Sequence, residues 1–264
     1  MARIVSDDTE IFYETLGNGP PVVLLHPFPA NHNLWKPAAQ FLLSRYKLIL
    51  PDLRGHGASG VGQGPATMRK HAADLARVLD DAGAGKAVFI GNSIGGYVIF
   101  ECWRQFRERI SGLALCNTKA QPDSAEARAT RLAVAAEVLE KGTEAFFVSQ
   151  TLRLIGETTR AARPDLVAGA LDMMRQMSSE HVAQVQRGMA ERPDSLPTLK
   201  TIHVPALIIT GSEDVVTGVP EAETMKQHIV GSSLKVLPKT GHYSPWEQPD
   251  EVGRLLRQFL DSFN

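Results

Sequence analysis

The stretch Gly91-Asn92-Ser93-Ile94-Gly95 decides the fold because of what stands on either side of it. The apolar run 87–90 comes directly before it, and a helical pattern begins at Ile94. A G-x-S-x-G pentapeptide can arise by chance in a glycine-rich chain, so the simple alternative is a turn with an incidental serine. Between a strand and a helix, however, it is typical of a sharp turn that lifts the serine hydroxyl above a sheet edge. Gly91 and Gly95 are small enough to let the strand and the helix approach.

Short aliphatic runs alternate with helical patterns along much of the chain. Strands are predicted at 11–16, 22–26, 48–50, 87–90, 113–116, 206–209 and 234–237, and helices at 71–79, 94–106 and 252–263. Most of these runs are apolar throughout, which suits strands covered on both faces, as in a parallel sheet. The alternation predicts an α/β fold with an open, mostly parallel sheet and right-handed crossovers.

One long segment breaks this alternation. Between 119 and 199 the sequence shows only helical patterns, at 125–139, 143–154, 164–177 and 180–190, separated by glycine and proline. We therefore predict a core domain made of residues 1–118 and 200–264. Residues 119–199 are predicted to form a helical cap over the sheet.

Composition excludes several classes of function. The chain has 264 residues, a net charge of −1 and two cysteines. A charge near zero gives no basic surface for nucleic acid or for an anionic membrane, and no apolar run approaches the roughly 20 residues of a membrane helix. Cys102 and Cys116 lack the spacing of a zinc site. The expectation is a soluble, cytoplasmic protein without metal or cofactor, monomeric or homodimeric.

A serine nucleophile needs a base to take its proton and an acid to orient that base. In a fold of this kind the acid and the histidine should follow later strands, in that order. His242 stands just beyond the run 234–237, and Glu213 and Asp214 stand just beyond 206–209. The residues predict Ser93 and His242 as nucleophile and base, and leave the acid open between the two neighbouring carboxylates.

An oxyanion needs backbone N–H donors, which proline cannot supply. The residue after the nucleophile, Ile94, is one candidate, and the loop after the first buried strand supplies the other. In that loop Phe28 stands between Pro27 and Pro29, so it is the natural donor. His26 is predicted to be structural, and the segment 52–59 is predicted to form a hydrogen-bonded turn.

With these segments in order, the chain resembles a serine hydrolase of the α/β-hydrolase superfamily. The resemblance rests on 26–29, 52–59, 91–96, 211–214 and 241–249, the last reading Gly-His-Tyr-Ser-Pro-Trp-Glu-Gln-Pro. Within the superfamily the chain is similar to 3-oxoadipate enol-lactonases and small bacterial carboxylesterases. The resemblance implies a sheet of about eight strands and favours Asp214 as the acid. Pro27 departs from the glycine of many relatives, and Ser93 is unlike the carboxylate that haloalkane dehalogenases need.

The expected function is hydrolysis of a small carboxylic ester or lactone through an acyl-enzyme on Ser93. Two alternatives remain open. One is a carbon–carbon hydrolase of ring-fission products (vinylogous diketo acids), for which Arg128, Arg131 or Arg153 could bind the substrate carboxylate. The other is a ligand-binding protein without catalysis on the same fold.

Overall fold

The computed structural model describes residues 1–262 around an eight-stranded sheet. The strands are β1 (Ala2–Ser6), β2 (Thr9–Leu16), β3 (Pro21–Leu25), β4 (Lys47–Pro51), β5 (Ala87–Asn92), β6 (Ile110–Cys116), β7 (Ala206–Gly211) and β8 (Ser233–Leu237). Their order in the sheet is β1-β2-β4-β3-β5-β6-β7-β8. The pairs β1–β2 and β2–β4 are antiparallel, and all the others are parallel. The predicted fold class is therefore confirmed.

Helices surround this sheet. They are α1 (Lys36–Ala39), α2 (Met68–Asp81), α3 (Ile94–Phe106), α4 (Ala125–Lys141), α5 (Glu144–Leu154), α6 (Glu157–Ala162), α7 (Pro164–Met174), α8 (Ser179–Ala190), α9 (Leu196–Leu199), α10 (Val219–His228), α11 (Ser244–Glu247) and α12 (Pro249–Asp261). The last predicted helix extends to Phe263, which lies, with Asn264, outside the described residues.

The central strands are apolar throughout because both faces of the sheet are covered. Val23 and Leu25 of β3 belong to the apolar cluster that includes residues of α2 and α3. Val22 and Leu24, which point to the other face, pack in a second cluster with residues of α1 and α12. Alternate side chains of one strand thus enter two separate cores.

The pairing register brings the carboxyl ends of the parallel strands to one edge. Leu25 of β3 lies beside Gly91 of β5, and Asn92 lies beside Cys116 of β6. Gly211 of β7 lies beside Leu237, the last residue of β8. Loops that leave these strand ends must meet at the same edge, which is where open α/β sheets bind their ligands.

Helices α4 to α9 form an insertion between β6 and β7, and the described residues of this segment contain no strand. Helix α4 packs along α8, and α7 contacts both α5 and α6. Ser124 caps α4 by accepting the N–H of Ala127 at 3.1 Å, and Pro164 is the first residue of α7, where a missing N–H costs nothing. None of the helices described is long and apolar enough to cross a bilayer.

Candidate active site

Ser93 occupies a strained turn between β5 and α3. Its backbone has φ 56° and ψ −115°, a region that costs a residue with a side chain about 1–3 kcal/mol. The turn is so tight that a Cβ on Gly91 would lie 2.5 Å from the carbonyl carbon of Gly95. A Cβ on Gly95 would lie 2.6 Å from the carbonyl oxygen of Leu25. Both positions therefore require glycine, as the spacing of the motif indicates.

Hydrogen bonds to β6 and its loop hold the turn in place. The N–H of Ser93 donates to the carbonyl of Cys116 at 3.0 Å. The hydroxyl of Thr118 donates to the carbonyl of Ser93 at 2.7 Å. The strained residue is thus fixed from the neighbouring strand, which leaves its own hydroxyl free.

Asp214 and His242 form a buried pair. Nδ1 of His242 lies 2.8 Å from Oδ2 of Asp214, so Nδ1 carries the proton of that bond and Nε2 is left as the proton acceptor. The N–H groups of Val216 and Thr217 donate to Oδ1 of Asp214 at 2.8 and 3.0 Å, and the amide of Asn117 donates to Oδ2 at 2.9 Å. Burial by itself would raise the pKa of Asp214, but the charge and hydrogen bond of His242, with those of Asn117 and the backbone, hold that pKa well below its usual value.

Glu213, the neighbouring carboxylate, points elsewhere. Both of its oxygens accept hydrogen bonds from Thr158, one from the N–H at 2.9 Å and one from the hydroxyl at 2.5 Å. It therefore ties the acid loop to the helical insertion. The structure thus places Asp214, and not Glu213, beside His242, a choice that the residues alone left open.

Ser93 and His242 line one cavity of about 380 Å³. No hydrogen bond joins the Ser93 hydroxyl to the His242 ring within residues 1–262. Such bonds are often long in unliganded enzymes and tighten when substrate binds. The cavity is bounded by both the sheet edge and the insertion, with apolar side chains that include Phe28, Val134, Phe146, Leu154, Met189 and Val216.

The two predicted oxyanion donors lie on neighbouring strand ends. Ile94 is the first residue of α3, so its N–H has no partner within the helix. Phe28 lines the cavity, in the loop after β3. Neither N–H has an acceptor in the described part of the chain, and β3 pairs directly with β5. Both donors are therefore available to a ligand.

Glu247 is a buried carboxylate beside the site whose place there was not predicted from the sequence. Its Oε2 accepts the N–H groups of Gly156 and Gly241 at 2.9 and 3.1 Å, and its Oε1 accepts the N–H of Tyr243 at 3.2 Å. Gly241 and Tyr243 flank His242, and Gly156 belongs to the insertion. Burial raises the pKa of Glu247, against the opposing effect of a hydrogen bond with the Thr159 side chain and of these backbone bonds. One buried carboxylate thus joins the histidine loop to the insertion.

Other polar groups near the site are structural. Nε2 of His26 accepts the N–H of Leu53 at 2.9 Å, and burial lowers the pKa of His26 to about 4. Asp52 accepts the N–H of His32 at 2.9 Å and that of Ala58 at 2.8 Å. The segment 52–59 is therefore a hydrogen-bonded turn, and nothing in it reaches the Ser93 cavity.

Cationic side chains also bound the cavity. Of the three arginines considered from the sequence, Arg131 and Arg153 line it, whereas Arg128 on the same helix as Arg131 does not. Lys119, the residue directly after Thr118, lines the cavity as well. Among residues 1–262 no group of histidine, cysteine and carboxylate side chains is arranged to hold a metal ion.

A mostly parallel sheet carries a strained serine at one strand end and an aspartate–histidine pair at two others, an arrangement suited to nucleophilic hydrolysis. The sequence model described as "alpha/beta hydrolase fold" matches residues 20–249. The chain therefore belongs to the alpha/beta hydrolase fold family, and the resemblance seen in its motifs is confirmed.

Comparison with individual proteins narrows the class of enzyme within this family. The chain is 28% identical to 3-oxoadipate enol-lactonase 2 of Acinetobacter baylyi over 99% of its own length and 97% of that protein. A malate-bound structure of a thermophilic esterase from Thermogutta terrifontis is 37% identical, with a TM-score of 0.95 over 99% of this chain and 98% of that one. The enol-lactonase from Burkholderia xenovorans LB400 is 26% identical, with a TM-score of 0.92 over 98% of this chain and 100% of that one. These relatives support a carboxylic ester hydrolase, the enzyme class expected from the sequence.

Proposed function

We propose that this protein is a serine hydrolase of carboxylic esters or lactones that acts through an acyl-enzyme on Ser93. The observation that carries the proposal is the joint position of the strained serine and the buried Asp214–His242 pair on one cavity. The enol-lactonase and esterase relatives agree with this chemistry.

The proposed reaction proceeds in two halves. The Ser93 oxygen attacks the acyl carbon while His242 takes its proton, and Asp214 stabilises the resulting imidazolium. The N–H groups of Phe28 and Ile94 hold the developing oxyanion. The acyl C–O bond then breaks, and His242 returns the proton to the leaving alcohol. Water repeats these steps on the serine ester and releases the acid. The helical insertion serves as a cap that shapes the substrate cavity.

The test is the hydrolysis of p-nitrophenyl butyrate by the wild type and by Ser93→Ala. Loss of the nucleophile should lower kcat by roughly 10⁴- to 10⁶-fold, because the three side chains act as one unit. A fluorophosphonate probe should modify the wild type at Ser93 and leave the variant unmodified, as read by mass spectrometry of the labelled peptide. Near-wild-type turnover by the variant, or a wild type that does not label, would overturn the assignment. The second result would instead favour a ligand-binding protein.

A panel of substrates separates the reaction types. Short acyl esters, γ-lactones and enol-lactones should be hydrolysed, and a vinylogous diketo acid should not. Turnover of the diketo acid alone would instead favour carbon–carbon cleavage.

A further inference from the structure

The loop that carries Phe28 has few backbone groups with which to hold its shape. Pro27 and Pro29 have no N–H, and the N–H of Phe28 is the proposed oxyanion donor. Hydrogen bonds can therefore fix these three residues only through their carbonyls. The carbonyl of Pro27 accepts the N–H of Ala30 at 3.0 Å and the Nδ1–H of His26 at 2.9 Å. The part of the loop before Phe28 is thus held.

The carbonyl of Phe28 has one donor within residues 1–262, the hydroxyl of Tyr243. The two oxygens lie 3.3 Å apart, and Tyr243 is fully buried. Burial raises the pKa of Tyr243 well above its usual value, so the hydroxyl keeps its proton. The Phe28 ring packs edge-on against His56, with 5.8 Å between the ring centres. The ring contact fixes the side chain of Phe28, and the tyrosine hydroxyl fixes its backbone.

The backbone of Tyr243 is itself held on both sides. Its N–H donates to Oε1 of Glu247 at 3.2 Å. Its carbonyl accepts the N–H groups of Trp246 at 2.8 Å and Glu247 at 2.9 Å. Tyr243 directly follows His242 in the chain. The hydroxyl that reaches Phe28 therefore extends from the same fixed segment that carries the imidazole.

This contact joins two parts of the site that the sheet keeps apart. Phe28 follows β3 and His242 follows β8, and three strands lie between them in the order β3-β5-β6-β7-β8. Hydrogen bonding within the sheet therefore does not couple the two loops directly. Their relative position matters, because a displacement of about 1 Å at a reacting site can cost roughly 10²-fold in rate.

We propose that Tyr243 is a positioning residue for the oxyanion donor. Its hydroxyl holds the backbone of Phe28, so that the N–H of Phe28 keeps a fixed separation from His242 and points at the oxygen that gains negative charge. This inference rests on the ester or lactone hydrolysis proposed above.

Tyr243→Phe removes the hydroxyl and keeps the ring. Its kcat/KM for p-nitrophenyl butyrate should fall by roughly tenfold, less than the loss of an oxyanion donor would cause, because the Phe28 N–H is still present but less well placed. The Tm should fall by less than about 5 °C. Tyr46→Phe is the matched control. It removes a hydroxyl that donates to Asp261 at 2.7 Å, before β4 and thus at the opposite edge of the sheet, and it should leave kcat/KM unchanged.

A transition-state analogue separates positioning from a general loosening of the site. The Ser93 oxygen adds to the carbonyl carbon of 1,1,1-trifluoropentan-2-one, the serine proton passes to His242, and the carbonyl oxygen becomes an anion that needs the Phe28 N–H. Pentan-2-one has the same chain but stays a free ketone. In Tyr243→Phe the inhibition constant of the trifluoro compound should rise by the factor that kcat/KM loses, and that of pentan-2-one should stay within about twofold.

The pH profile shows whether the hydroxyl acts through His242 instead. The acidic limb of kcat/KM should have the same midpoint in the wild type and in Tyr243→Phe, because the Asp214–His242 pair is untouched. A shifted midpoint, an equal rise in both inhibition constants, or a kcat/KM within about twofold of wild type would overturn the proposal. Tyr243→Met also lacks the hydroxyl and gives the same comparison if the phenylalanine variant does not fold.

The two proposals fail in different ways. If the wild type hydrolyses p-nitrophenyl butyrate and labels at Ser93 while Tyr243→Phe keeps its kcat/KM, only the positioning role of Tyr243 fails. If the wild type neither hydrolyses the ester nor labels, the proposed function itself fails.

Discussion

Replacing Glu247 with glutamine should loosen the loop that carries His242. The carboxylate accepts three backbone N–H groups, two on Oε2 and one on Oε1. A glutamine has one oxygen for these three donors. In the more favourable orientation of the glutamine amide, its oxygen accepts from Gly156 and Gly241. The amide NH₂ then faces the N–H of Tyr243, which is also a donor.

The cost follows from that mismatch. One charge-assisted bond is lost and one buried N–H is left without a partner, which together destabilise the fold by about 1–3 kcal/mol. For a chain of this size the Tm should fall by roughly 2–10 °C. Because the mismatch lies next to His242, kcat should fall by roughly tenfold as the imidazole loses its fixed position.

Thermal unfolding followed by circular dichroism, with kcat for p-nitrophenyl butyrate, checks both effects. Glu251→Gln is the matched control: this exposed carboxylate pairs with Arg254 at 2.8 Å, and its loss should change stability by less than about 0.5 kcal/mol. A Glu247→Gln protein with unchanged Tm and kcat within twofold of wild type would refute the reasoning.

Two further outcomes are expected. Asp214→Asn should lower kcat for p-nitrophenyl butyrate by roughly 10⁴-fold, whereas Glu213→Gln should change it by no more than a few-fold; similar losses in the two variants would contradict the division of roles. Burial lowers the pKa of His26 to about 4 and that of His71 to about 3, so both stay neutral in the folded state while the unfolded chain binds protons below about pH 6.5. The contribution of these two histidines to the free energy of unfolding is complete above that pH. It falls as the solution is acidified, by about 2 kcal/mol for each histidine at pH 5. Urea unfolding at pH 7 and pH 5 measures this, and equal free energies of unfolding would contradict it.

The sheet could be predicted because its central strands are buried on both faces and are therefore apolar throughout. Strand β1 escaped prediction because it is an edge strand that alternates between exposed and half-buried residues. Helix α10 escaped for a related reason: it buries only Ala222 and Met225, too few to mark an apolar stripe. Elements that bury little surface lack the apolar pattern from which a strand or a helix is predicted.

The same limit applies to the site. Ser93 and His242 each lie just beyond a predicted strand, so their roles as nucleophile and base could be predicted from the sequence. The choice between Glu213 and Asp214 depends on which side chain turns toward His242, and periodicity does not encode that. Asn117 acts through hydrogen bonds to partners far along the chain, and Glu247 ties its own loop to the distant Gly156. The place of Asn117 directly after β6, at the edge shared with the other loops, was the available signal for it.

The N–H of His242 donates to the carbonyl of Leu154 at 2.8 Å, which makes the end of α5 a fixed point of the molecule. Lifting the insertion at this point would break that hydrogen bond or move the backbone of His242. Opening of the cavity that leaves His242 in place therefore requires movement of the insertion away from this bond, for instance at the packed pair α4 and α8.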